Sequence, residues 1–195
     1  MPCPFCLPSL PLLKQAGHDF GLILLSFLLY WTAYQWHELI VPYVAYAQGV
    51  DLLFVPAGVK LVMILVAGWR GALGCGLALL AVAPDFWPDQ TLPVLTGYVA
   101  LSIGVTWLVL DLLLSRRRLG PALEGLRFWD IVRIDALNTL LHGIVVNLYF
   151  WTQGLRSADM LWSATLAMAL GDFLGTGVVM LVVLLVAQLL LPEQR

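Results

Sequence analysis

The sequence predicts an all-α, polytopic membrane protein: a bundle of six transmembrane helices with both termini on the cytoplasmic side. Three observations carry that prediction. Of 195 residues, 61% are hydrophobic and only 11% charged, whereas a water-exposed domain carries about a quarter charged residues. The apolar residues gather into six segments, and lipid admits only helices or closed barrels because unpaired backbone groups are too costly there. The Lys and Arg residues fall on alternate connections, as cytoplasmic flanks require. A net charge of -2 with no basic arm leaves nothing to neutralise phosphates, so nucleic acid is excluded as a partner. No polar stretch of about 50 residues remains to form a soluble catalytic domain.

Residues 1–18 read as an N-terminal cytoplasmic tail. Lys14 is its only basic residue, Pro2, Pro4, Pro8 and Pro11 interrupt it, and it lacks a signal-peptide cleavage pattern, so the first span is expected to be retained. The spans cover about 19–40, 50–68, 71–84, 91–114, 134–152 and 159–191, and together make a transmembrane domain, 19–191, followed by a C-terminal tail, 192–195. The third would reach only about 21 Å, so it needs the Trp69 and Arg70 flank or a thinned bilayer. The sixth would reach about 50 Å against a core of about 30 Å, and a kink is expected between Gly171 and Gly177. This arrangement puts Lys14, Arg70, Arg116, Arg117, Arg118, Arg127, Arg133 and Arg195 inside and only Arg156 outside, with Lys60 within the second span. The loop from Ser115 to Arg133 reads as an ordinary positive-inside loop or, through its LRFWDIVR run, as a stretch lying on the anionic inner leaflet, where each basic residue adds about 1 kcal/mol.

An ionisable side chain at mid-bilayer costs at least about 2.5 to 3.5 kcal/mol and marks a functional candidate with a partner. Counting along the spans puts Lys60, His142 and Asp172 near the midplane. A buried Lys60 and Asp172 pair is therefore expected, extended by His142; it either fixes helix register or responds to a ligand or a proton. On the fifth span Asp135, Asn138, Thr139, His142, Tyr149 and Gln153 fall within about 40° of one direction, a polar stripe that must face protein or water. Glu38 lies near the outer surface, as a ligand contact or a wet interfacial carboxylate, and Asp111 reads as interfacial.

Small residues mark close packing. Gly171 and Gly175 form a GxxxG spacing around Asp172, Gly71, Gly74 and Gly76 give the third span a small-residue face, and Pro56, Ala57 and Gly58 just above Lys60 free backbone carbonyls for neighbouring side chains or water to satisfy. Cys3 and Cys6 form a CxxC, but neither a βαβ context nor four ligands accompany it, and Cys75 reads as a packing residue, so no metal site is expected. His37 and His142 differ in depth, which sets a haem aside, and no cofactor is expected. No GxSxG or HExxH motif occurs, so the chain is not expected to be an enzyme.

Two stretches carry a family resemblance. The run VDLLFVPAGVKLVMILVAGWRGALG, Val50 to Gly74, resembles the proline-glycine span and Gly-Trp/Arg turn of the first type of bacterial membrane-associated sensor (MASE) domain. FWDIVRIDALNTLLHGIVVNLYFWTQG, followed by LAMALGDFLGTGVVMLV, is similar to that family's later spans and its GDxxG helix. Pro56, Gly58, Gly68, Gly171, Asp172 and Gly175 match the family's pattern. The chain departs from it at Phe54 and Val55, where a second proline or tryptophan is usual, and in its smaller number of spans. The resemblance implies a multi-pass protein of the bacterial inner membrane. It would be a sensor-like module without its own output domain, acting through helix packing on a partner membrane or signalling protein or as a homo-oligomer. Two alternatives stay open: an accessory or assembly subunit of a membrane complex, and a substrate-binding subunit of a small-solute transporter, which would need a vitamin-sized cavity near the outer face.

Overall fold

A computed structural model describes residues 10–116 and 127–190. Cys3, Cys6, Arg117, Arg118, Arg195 and the 192–195 tail lie outside the described residues. The described residues are helical apart from one small hairpin and the connecting turns: α1 (Leu10–Glu38), α2 (Val41–Val44), β1 (Ala45–Ala47), β2 (Val50–Asp51), α3 (Val55–Ala67), α4 (Trp69–Phe86), α5 (Leu92–Arg116), α6 (Phe128–Thr152), a 3₁₀ turn (Ala158–Met160) and α7 (Leu161–Leu190).

Three segments are long and apolar enough to cross a membrane: Leu92–Ser115, Phe128–Thr152 and Ala158–Leu190. The other helices fall short for visible reasons. Helix α3 has 13 residues, α4 carries Arg70 and Asp85 within its 18, and the end of α1 is diluted by Tyr34, Gln35, Trp36 and His37.

Several boundaries differ from those read off hydropathy. Helix α1 begins at Leu10, so Lys14 and Gln15, assigned to a tail, are helical. Apolarity marks the part of a helix that dissolves in lipid, not the part that holds backbone hydrogen bonds. Residues 50–54, taken as the start of the second span, are not helical: Val50 and Asp51 form β2, which pairs antiparallel with β1, and Val50 is 1% exposed. Such backbone is tolerated at membrane depth only where protein surrounds it. Pro56 then sits in the first turn of α3, where its missing N–H is not needed. The third segment lengthens to Trp69–Phe86 and takes in both flanking residues, about 27 Å of helix. Phe128 to Arg133 of the LRFWDIVR run form the first turns of α6, with Phe128 and Trp129 exposed. Helix α7 is continuous through Gly171–Gly177, 30 residues without a break.

Two turns need glycine. Gly68 joins α3 to α4 with φ +59°, and Gly49 turns the hairpin at φ +69° against the Trp87 ring, both in a region that residues with a Cβ rarely adopt. At the Gly68 end, Arg70 Nε donates to Asp19 at 2.6 Å and ties α4 to α1. At the hairpin end, Gln48 donates to the Phe86 carbonyl at 2.9 Å, and Arg156 donates to the Gln48 carbonyl at 3.0 Å. The core is aromatic at that end, where Phe150 packs on Trp87 at 4.9 Å and on Tyr98 at 5.3 Å between ring centroids. It narrows to Leu61, Cys75, Ala78 and Leu79 between α3 and α4.

The GxxxG spacing of glycines in α7 acts on backbone. A Cβ on Gly171 would strike the Asp51 carbonyl and one on Gly175 the Phe54 carbonyl, while a Cβ on Gly58 would lie 2.7 Å from Thr176 Cα. Phe54 N–H donates to the Gly171 carbonyl at 2.9 Å. The GxxxG element thus seats the β2–α3 connection as well as a neighbouring helix, and this brings the start of α3 down onto Asp172.

Candidate functional site: a buried ionic relay

Lys60 lies in the second turn of α3 and is 2% exposed. Its Nζ donates to Ser102 Oγ of α5 at 3.3 Å and lies 3.4 Å from His142 Nε2 of α6. Ser102 Oγ is itself 2.9 Å from that nitrogen. On the other side of the ring, His142 Nδ1 is 2.7 Å from Asp172 Oδ2 of α7. The oxygen lies off the line of a ring N–H, since Nδ1 has no aligned hydrogen bond, so the contact is a close polar approach rather than a well-directed bond.

The polarity of these contacts sets the imidazole tautomer. An ammonium has three donors and no acceptor, so Lys60 gives a proton to Ser102, whose hydroxyl turns its own toward Nε2. Nε2 is then the acceptor, and the ring proton belongs on Nδ1, facing the carboxylate. Cation and anion are both present, as the depth argument requires, but they do not touch. The direct Lys60 and Asp172 contact expected from the sequence is replaced by a relay with Ser102 and His142 between them. The reason is the packing: α7 meets α3 at Gly58, and the lysine chain runs instead toward α5 and α6.

A cavity of about 20 Å³ lies beside the relay, with Asp51, Tyr98, His142 and Asp172 among its lining residues. That is room for one water molecule. Asp51 is 8% exposed and lies 2.9 Å from His37 Nε2, which is itself buried and stacked edge-on against Phe54. Asp51 also borders a wider vestibule of about 320 Å³ at the hairpin end, with Glu38, Tyr34 and Asp85. One carboxylate therefore stands on both the outer vestibule and the inner cavity.

The polar stripe on α6 divides along its length. Asp135, Asn138, Thr139 and His142 are buried, Tyr149 is half-buried and donates to the Val94 carbonyl at 2.9 Å, and Gln153 is exposed. Asp135 accepts from Thr176 Oγ1 at 3.2 Å, and the Asn138 carbonyl oxygen is buried without a partner. Glu38 is exposed and belongs to the vestibule, not to the relay, and Asp111 is exposed on α5. Sequence reasoning missed Ser102, Asp51 and Thr176. Ser102 is a single hydroxyl within an apolar run, and Asp51 is followed by LLFVP; neither has a periodicity that distinguishes it. Among the described residues, no cluster of three His, Cys, Asp or Glu side chains is arranged to hold a metal ion.

A comparison of the chain with protein-family models finds no match, and comparisons with curated proteins and with solved structures find none either.

Proposed function

We propose that this chain is an integral membrane sensor-type module of the bacterial inner membrane. Six helices cross the bilayer with both termini on the cytoplasmic side, and the Lys60, Ser102, His142 and Asp172 relay receives the signal. The observation that carries the reading is that four helices, α3, α5, α6 and α7, each contribute one polar side chain to a single buried contact chain. A change in its charge alters the packing of all four at once, and that repacking is what a partner membrane or signalling protein would read. The resemblance to MASE sensor domains supports the same reading.

The orientation rests on charge. Among the described residues, the Gly68 end holds Lys14, Arg70, Arg127 and Arg133 together with Asp19, Asp111 and Asp130, while the hairpin end holds the carboxylates Glu38, Asp51, Asp85, Asp89 and Asp159 against the single cation Arg156. Arg156, the one exception to the positive-inside pattern, is 7% exposed and serves as a clip on the Gln48 carbonyl. Burial lowers its pKa from the ordinary guanidinium value.

The signal is a proton arriving from the acidic end. The enclosed volume beside the relay, about 20 Å³, suits one water, which is what a proton signal needs. The His142 and Asp172 contact is faced by Lys60 from α3, Tyr98 and Ser102 from α5, Asp51 from β2 and Tyr30 from α1, with Asp135 further along α6. Amide hydrogen exchange of the protein in nanodiscs, followed over a pH series and corrected for intrinsic rates, tests the proposal. Segments around Lys60, Ser102 and Asp172 are expected to change protection together at one midpoint in the wild type and not in Asp172→Asn. Protection that does not vary with pH in the wild type would leave the relay a purely structural element.

A further inference from the structure

A second buried carboxylate lies outside the relay. Asp135 is 2% exposed and accepts one hydrogen bond, from Thr176. Among the described residues no Lys, Arg or His comes within 4 Å of it, and the Lys60 ammonium is already engaged by Ser102 and His142. A buried carboxylate without a counter-ion is a costly arrangement that a bound cation would relieve.

Asp135 lies at the floor of a half-open groove of about 480 Å³ between the first half of α6 and the second half of α7. The volume falls in the range of small-molecule sites. Its walls are apolar, with Phe128 and Phe173 the aromatic members and Leu181 and Leu184 at the far end. A ligand matched to these walls and this floor combines a positive centre with apolar arms, and the Phe rings add cation–π attraction.

We infer that the α6–α7 groove is a binding site for lipophilic cations, with Asp135 as the counter-ion and Phe128 and Phe173 as the aromatic walls. The site opens on the outer face of the helix pair, so entry is lateral. The inference does not rest on the relay reading, because occupancy is measured directly and Lys60, His142 and Asp172 stay unchanged in the test.

The experiment is equilibrium dialysis of labelled tetraphenylphosphonium against the protein in phosphatidylcholine nanodiscs, with empty nanodiscs subtracted. Saturable binding at one site per chain is expected, weakened at least tenfold in Asp135→Asn. Gly177 lines the groove, and a Cβ there meets open space, so Gly177→Leu places its side chain in the groove from an unobstructed Cβ and is expected to weaken binding at least tenfold as well. Asp111→Asn, an exposed carboxylate on α5, is expected to bind as the wild type does. Binding that does not saturate, or an affinity unchanged in Asp135→Asn, would overturn the site and leave the groove a seat for acyl chains. If Asp135→Asn does not fold, Gly177→Leu decides alone: wild-type affinity in that variant overturns the inference.

Discussion

At the residue scale, Lys60 concentrates the energetics of the protein. A lone ammonium in the core is intolerable, yet replacing an entire buried ion pair with apolar groups is often neutral, because it is the uncompensated partner that costs most. Lys60→Met alone leaves the Asp172 carboxylate buried without its cation and is expected to destabilise by about 3 to 5 kcal/mol. Lys60→Met combined with Asp172→Leu is expected to recover part of that loss. Reversible unfolding in mixed micelles measures the cycle, and strictly additive losses would mean that the two charges are not coupled through His142. Depth counting found both charges and the histidine, because the cost of burial is a property of each residue alone. It did not find Ser102, whose role exists only because α5 brings a hydroxyl between two groups from other helices.

Among the helices and strands, the decisive contact is the one between α7 and the β2–α3 connection. Gly171 and Gly175 face carbonyls of Asp51 and Phe54, which cannot shift without breaking the hairpin or the Phe54 to Gly171 hydrogen bond. Gly171→Val and Gly175→Val are each expected to cost about 1 to 3 kcal/mol through overpacking. Gly104→Ala, where a Cβ meets open space, is expected to be neutral or stabilising by up to about 1 kcal/mol, as alanine is in a helix. Thermal unfolding of the set in one detergent separates them, and equal losses at Gly104 and Gly171 would refute the contact. The GxxxG spacing was legible in the sequence, but its partner was not. A buried extended segment and a buried helix have the same apolar composition, so Val50 to Phe54 read as helix.

At the scale of the whole molecule, charge segregation predicts topology. In a variant with Cys3, Cys6 and Cys75 replaced by serine, an impermeant maleimide is expected to label Asp89→Cys in intact spheroplasts. Ser115→Cys is expected to react only after permeabilisation, and the reverse pattern would invert the proposed orientation. The unbroken α7 bears on the same scale: from Leu181 to Leu190 all but Ala187 are exposed, an apolar surface suited to lipid or to a partner helix. Composition and the length of the apolar runs were enough to predict a helical chain with segments apolar enough to cross a membrane, three of which the structure shows, because partitioning into a bilayer depends on residue type and local order. Which side chains meet, where backbone leaves the helix, and that Asp135 turns to Thr176 while Asp172 turns to His142 were decided by tertiary packing. Those properties are distances between residues far apart in the chain, and no local pattern encodes them.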